Sequence, residues 1–241
     1  MTKLTKKDII YLIIIVLLVA AIVTVSILWG VTAKRKEEAE APTYYELKCA
    51  AFEVQNANLS KGQIVFIGDS ITDGYHLDDY FTDLPLATYN RGIGGDTTSG
   101  VYRRLKTSLY DLAPSMVVLM IGINDINSGH SNDEIMINYK DIITEIQTNL
   151  PTAQIICESV LPMNATVEAY GINLAKATAQ IKDLNERIET YVVGKGCTFV
   201  NLFPDFADEN EQLIASYTGD GLHPNAAGYA VWTTRIRPFL V

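Results

Sequence analysis

Residues 64–67 read Ile-Val-Phe-Ile and are followed at once by Gly68-Asp69-Ser70. A run that is apolar at every position, with β-branched members, predicts a strand buried on both faces, and such strands belong to sheets covered by helices on either side. Gly68 and Asp69 break the run and leave Ser70 at its carboxyl end, where open α/β sheets place their ligands. A serine there serves equally well as a turn residue or a helix N-cap, so the remainder of the chain decides whether it is a nucleophile.

Strands and helices alternate after Ser70. Residues 86–90 predict a short strand, 99–110 a helix and 116–121 a strongly apolar strand. Residues 133–150 predict a helix closed by Pro151, then 154–160 a strand, 173–193 a long helix, 198–203 a strand and 225–239 a final helix. This order predicts an α/β fold, a parallel sheet with helices on both faces. Tyr45, Leu47, Ala50, Ala51, Phe52 and Val54 suggest an amphipathic helix ahead of the first strand. With 241 residues, 48% of them hydrophobic, the chain supplies one sizeable core and requires no second globular domain.

Residues 9–29 are almost entirely apolar, with Tyr11, Thr24 and Ser26 the mild exceptions, and they predict one transmembrane helix. A cleaved secretory signal is the competing reading, since Val31-Thr32-Ala33 offers small residues of the kind a signal peptidase accepts. The run exceeds the roughly 7 to 15 residues of a signal's apolar core, which favours an uncleaved anchor; cleavage would instead give a secreted protein. Lys3, Lys6 and Lys7 favour a cytoplasmic segment 1–8 and an extracellular domain, although Lys34, Arg35 and Lys36 dilute the asymmetry. Residues 30–43, closed by Pro42, form a charged tether, and 44–241 form the domain.

The formal charge is −9, of which the first 33 residues contribute +2 and the rest −11. So acidic a body, without a basic patch interleaved with aromatics, is not a nucleic-acid binder. The three cysteines, Cys49, Cys157 and Cys197, lack CxxC spacing, so neither a zinc site nor a disulfide framework is indicated. Cys157 and Cys197 lie in apolar strand-like runs as core thiols.

Four stretches look unlike ordinary connections. Besides Gly68-Asp69-Ser70 there is Asn90-Arg91-Gly92-Ile93-Gly94-Gly95-Asp96-Thr97, whose glycines permit tight turning. Its spacing fits neither the dinucleotide nor the Walker phosphate pattern, and amides exposed at a strand's end can hold an oxyanion. Asn124, in Ile121-Gly122-Ile123-Asn124-Asp125, is either a turn residue or a donor that stabilises negative charge without titrating. In Asp220-Gly221-Leu222-His223-Pro224-Asn225, the Asp and His stand three apart, close enough for the carboxylate to hold one imidazole nitrogen while the other faces a nucleophile. His76 also has Asp73 three residues before it, and His130 has Asp133 three residues after it, so the spacing alone does not single out His223. Together these form the parts of an acyl-transfer site.

The chain resembles the SGNH hydrolase superfamily, or GDSL-type lipases and acylhydrolases, from about residue 62 to 239, with all four blocks in order. The glycine loop is particularly similar to platelet-activating-factor acetylhydrolase-like members. The resemblance implies a flavodoxin-like three-layer α/β/α sandwich around a five-stranded parallel sheet, here preceded by the transmembrane helix. It implies Ser70 as nucleophile, His223 as general base and Asp220 as its orienting carboxylate, with Ser70 N–H, Gly95 N–H and the Asn124 side chain as oxyanion hole. Ile71-Thr72 after Ser70 departs from the G-x-S-x-G elbow of another family, the α/β-hydrolases.

This chemistry needs no metal or cofactor. Tyr75, His76, Leu77, Tyr80 and Phe81 are candidates to wall a substrate pocket, with core packing as the alternative, and the loop 163–171 is a candidate rim. No long apolar groove is evident, so short acyl esters, including O-acetyl groups on envelope carbohydrate, are favoured over long-chain lysophospholipids or thioesters. Acyl transfer by the same serine and a non-catalytic glycan- or lipid-binding role remain the alternatives, and the oligomeric state is not encoded legibly.

Overall fold

The computed structural model describes residues 5–40 and 42–241. Lys3, part of the charge asymmetry, and Ala41, within the expected tether, lie outside the described residues. The chain divides into two units, one ending at Tyr44 and one running from Tyr45 to Val241.

In the first unit, helix α1 (Lys6–Glu40) covers the whole apolar run and continues through the Lys/Glu/Ala-rich tether, a composition with high helix propensity. The window Ile13–Gly30 has a mean hydropathy of 2.9 and is long and apolar enough to cross a membrane. Thr24 and Ser26 donate their hydroxyls to the carbonyls four residues back, Ala20 and Ile22, so their polar groups are satisfied within the helix, as a hydrocarbon surrounding would demand.

Helix α2 (Tyr44–Asn56), whose Phe52 is buried, lies in the second unit from its second residue on. Five strands follow: β1 (Ile64–Gly68), β2 (Thr88–Gly92), β3 (Met116–Met120), β4 (Gln154–Glu158) and β5 (Thr198–Val200). They form one parallel sheet in the order β2-β1-β3-β4-β5. β1 and β3 are buried at every position, as their uniform apolarity requires. Between and after the strands lie α3 (Ser70–Asp73), α4 (Thr98–Arg103), α5 (Ile123–Asn127), α6 (Asn132–Asn149), α7 (Leu174–Gly194), α8 (Phe203–Phe206) and α9 (Ala226–Ile236).

Consecutive strand residues face opposite sides, and β4 shows what covers each. Cys157 lies beside Tyr139 of α6, whereas Glu158 accepts the Trp232 indole N–H of α9 at 2.5 Å. Helices therefore flank the sheet on both faces, giving the expected layered α/β fold. Cys157 and Cys197 are both buried free thiols.

Element bounds depart from the sequence reading in several places; β4 ends at Glu158 rather than 160, and β5 ends at Val200 rather than 203, where α8 begins. β2 starts at Thr88 rather than residue 86. The helix expected over 99–110 ends at Arg103; Arg104 leaves helical geometry at φ −109°, and a π-helical turn, Lys106–Tyr110, completes the segment. The last helix stops at Ile236 and tightens into a 3₁₀ turn, Arg237–Phe239, that contains Pro238, which has no N–H with which to continue an α-helix.

Candidate active site

Strand order places β1 where the sheet winds outward in both directions, the crevice in which open α/β folds bind ligands. Ser70 follows β1 there, as the first residue of α3. Asp69 caps that helix, accepting the Ile71 N–H at 2.9 Å, and is itself 1% exposed. Gly68 is required by crowding: a Cβ would lie 2.3 Å from both the Met120 carbonyl oxygen and Thr72 Oγ1. The Asp69 carboxyl is pushed up to about 7, because burial disfavours its charge more than the Ile71 amide and nearby His223 favour it.

The turn before α9 delivers the other side chains. His223 Nε2 lies 2.9 Å from Ser70 Oγ, and His223 Nδ1 lies 2.6 Å from Asp220 Oδ2. Asp220 Oδ1 accepts the amides of Leu222 and His223 at 2.9 and 2.8 Å. Burial works to raise the Asp220 pKa, but the hydrogen bonds from the His223 ring and these amides outweigh it and hold it at about 2. Thr218 Oγ1 accepts the Gly221 N–H at 2.9 Å and closes the turn. Gly221 sits at φ +87°, where a Cβ would also come within 2.6 Å of Asn164 Oδ1. Asn164 N–H in turn donates to the Gly221 carbonyl at 3.0 Å, so the loop after β4, read as a rim, braces the histidine turn from behind.

Two further loops follow β2 and β3 at the same edge of the parallel sheet. After β2, the Gly94 N–H donates to Asp73 Oδ2 at 3.1 Å, and Gly95 takes the left-handed φ of +78° that favours glycine. After β3, Gly122 at φ +134° turns the chain into α5. There Asn124 Nδ2 donates to the Asp96 carbonyl at 2.9 Å, while Asp125 accepts the Thr98 N–H and hydroxyl at 2.9 and 2.6 Å. Hydroxyl, imidazole and carboxylate thus form one hydrogen-bonded line, an arrangement able to activate a serine as a nucleophile.

The residues suggested as a substrate wall are located elsewhere. Tyr75, Leu77 and Phe81 are 0%, 4% and 5% exposed. The Tyr75 ring stacks on Tyr229 and Trp232 at 4.9 and 4.7 Å and meets Phe66 and Phe81 edge-on. Tyr80 lies half-buried against Tyr75, 5.3 Å between ring centres, with its hydroxyl directed at the Ala226 carbonyl. This aromatic set is the packing layer between β1 and α9, and its size and apolarity make burial the lower-energy place for it. His76 and His130 are exposed. Sequence reasoning missed Asp69, Asp96, Arg104, Asp125, Asn164 and Thr218, whose hydrogen bonds hold the loops. The only local signal for them was an Asp next to each of Ser70, Gly95 and Asn124.

Comparison with known proteins agrees with this architecture. The family model described as GDSL-like Lipase/Acylhydrolase family matches residues 66–231. The platelet-activating factor acetylhydrolase IB subunit alpha1 of Pongo abelii is 28% identical over 172 residues, 70% of this chain and 71% of that one. A solved structure from Streptococcus pneumonia, described as a platelet activating factor, is 28% identical with a TM-score of 0.77, covering 88% of this chain and 99% of that one. A GDSL-like lipase from Bacteroides thetaiotaomicron is 28% identical with a TM-score of 0.71, covering 80% and 96%.

Proposed function

The chain belongs to the GDSL-like lipase/acylhydrolase family and hydrolyses ester bonds, and from that premise we propose that it is a membrane-anchored serine esterase for short acyl groups, working through Ser70, His223 and Asp220. The observation that carries this reading is the unbroken line from Ser70 Oγ to His223 Nε2 at 2.9 Å and from His223 Nδ1 to Asp220 Oδ2 at 2.6 Å.

In this reading Ser70 Oγ attacks the ester carbonyl as His223 Nε2 takes its proton, and Asp220 stabilises the imidazolium that forms. The Ser70 and Gly95 amides and the second N–H of Asn124 receive the oxyanion, the first N–H being held by the Asp96 carbonyl. His223 then returns the proton to the departing alcohol. Water repeats the sequence on the acyl-enzyme, which frees the acid and restores Ser70.

Burial of Tyr75, Leu77 and Phe81 supports a short acyl group, because the apolar side chains nearest the nucleophile in sequence are already committed to the core. His223 and Asp220 side chains are each 41% exposed, which suits an ester carried on a bulky alcohol such as envelope carbohydrate. Helix α1 serves as the anchor, with Lys6 and Lys7 on the cytoplasmic side and the domain outside.

A fluorophosphonate probe reacts with an activated serine, so it is expected to label the wild type at Ser70 and to leave Ser70→Ala unlabelled and inactive on p-nitrophenyl acetate. Wild-type turnover by purified Ser70→Ala would overturn the reading. Across a series of p-nitrophenyl esters, activity is expected to be highest for acetate; a clear preference for chains of eight carbons or more would refute the short-acyl assignment.

A further inference from the structure

Arg104 is 3% exposed, yet it stands after a short surface helix, where an arginine would ordinarily reach water. Its guanidinium makes four hydrogen bonds. Nε donates to Asp96 Oδ2 at 2.7 Å, Nη1 to the Arg91 carbonyl at 2.6 Å and to Ser108 Oγ at 2.9 Å, and Nη2 to the Gly68 carbonyl at 2.8 Å. Three of these acceptors mark the places that matter. Gly68 ends β1 two residues before Ser70, Arg91 lies at the end of β2, and Asp96 follows Gly95. Asp96 is 5% exposed, and its own carbonyl accepts the Asn124 amide at 2.9 Å. The Asp96 carboxylate sits so close to Gly100 that a Cβ there would lie 1.7 Å from Oδ1.

An ion pair this deeply buried returns little net stability, because stripping water from both charges offsets their attraction. What it does provide is geometry, since the rigid fork of a guanidinium fixes several acceptors relative to one another in a way an ammonium does not. We propose that the buried Arg104–Asp96 pair is a positioning device that sets the Gly95 amide and the Asn124 side chain at fixed places relative to Ser70. This rests on the serine-esterase reading above. Arg104 touches no substrate; it acts through Asp96 on Asn124, and through Gly68 on the strand that carries the nucleophile.

The test uses the full chain in detergent micelles, with active sites counted by fluorophosphonate titration, so that turnover is expressed per competent serine and loss of folded protein drops out. Misplacing a transition-state donor by a fraction of an ångström lowers turnover rather than ground-state binding, so Arg104→Met is expected to lower kcat per titrated site on p-nitrophenyl acetate by about tenfold or more, with KM within about threefold. Arg104→Lys, which keeps the charge and loses the fork, is expected to fall between. In an Asn124→Ala background the Arg104→Met loss is expected to shrink, because the donor it positions is already gone. Wild-type kcat per titrated site in Arg104→Met, with only a lowered melting temperature, would overturn the proposal, as would an undiminished loss in the Asn124→Ala background. If Arg104→Met fails to fold, Asp96→Asn takes its place: a similar fall in kcat per titrated site is expected, and wild-type turnover would overturn the proposal. A wild type that the probe does not label at Ser70 would overturn the serine-esterase reading itself, which sets that failure apart from one confined to Arg104.

Discussion

Both oxygens of Asp220 are occupied, one by the imidazole and one by the amides of its own turn, so this carboxylate is fixed in place as well as ionised. Its folded pKa of about 2 lies below the ordinary 3.8, so its contribution to stability is present above about pH 4 and is lost as pH falls through 2. Melting temperatures of wild type and Asp220→Asn are therefore expected to differ most near neutrality and to converge as the buffer is taken from pH 4 towards 2. Asn124 offers a test at the same scale. Removal of one oxyanion donor typically costs about 10² to 10³ in kcat, and Asn124→Ala is expected to show a loss of that order with its melting temperature little changed, measured by steady-state kinetics on p-nitrophenyl acetate. Ser70, Asn124, Asp220 and His223 could be picked out in the sequence because four unusual stretches occur together, although each residue alone suits a turn or a cap as well. Arg104 was not legible, since a charged residue in a helical pattern reads as solvent-facing until the loops that converge on it are known.

Between elements, the contact of β4 with α9 places a carboxylic acid in the core. Glu158 is 1% exposed, and its Oε1 accepts the Trp232 indole N–H, while Oε2 has no hydrogen-bond partner among the described residues. Burial pushes its pKa up to about 8 against the pull of the indole, so at neutral pH the group is held protonated and uncharged. A raised carboxyl pKa means the folded state binds a proton that the unfolded state has released, so the Glu158 contribution to stability is greatest below about pH 4.5 and declines as pH rises towards 8. Glu158→Gln keeps the acceptor for Trp232 and removes the titration. Its unfolding midpoint in denaturant is expected to vary less than that of the wild type between pH 5 and about 8, with the remaining slope in this direction attributed to Asp69 and Asp96, whose carboxyls burial also pushes up. Equal slopes would show that Glu158 does not titrate in this range. Strand and helix types were readable along the chain because apolar periodicity reports burial. The break at Arg104 was not, because the force that ends the helix there is a set of acceptors contributed by β1, β2 and the glycine loop.

At the scale of the molecule, an apolar helix of membrane-spanning length precedes an acidic α/β domain. If the domain faces outward, as proposed, protease added to intact cells will degrade it, and protection until lysis would refute that orientation. The order and spacing of residues alone determined the α/β class, the apolar amino-terminal helix and the chemically suited side chains, since these follow from local patterns of polarity and from motifs a few residues long. Tertiary structure alone decided which aromatic residues near Ser70 were available to a substrate. Tyr75 and Phe81 look the same in sequence whether they wall a pocket or fill a core, and only their packing against Phe66, Tyr229 and Trp232 distinguishes the two. It also decided that an imidazole 153 positions away would lie within hydrogen-bond distance of the serine, because that separation is closed by the order of the strands, a property of the whole sheet that no local stretch contains.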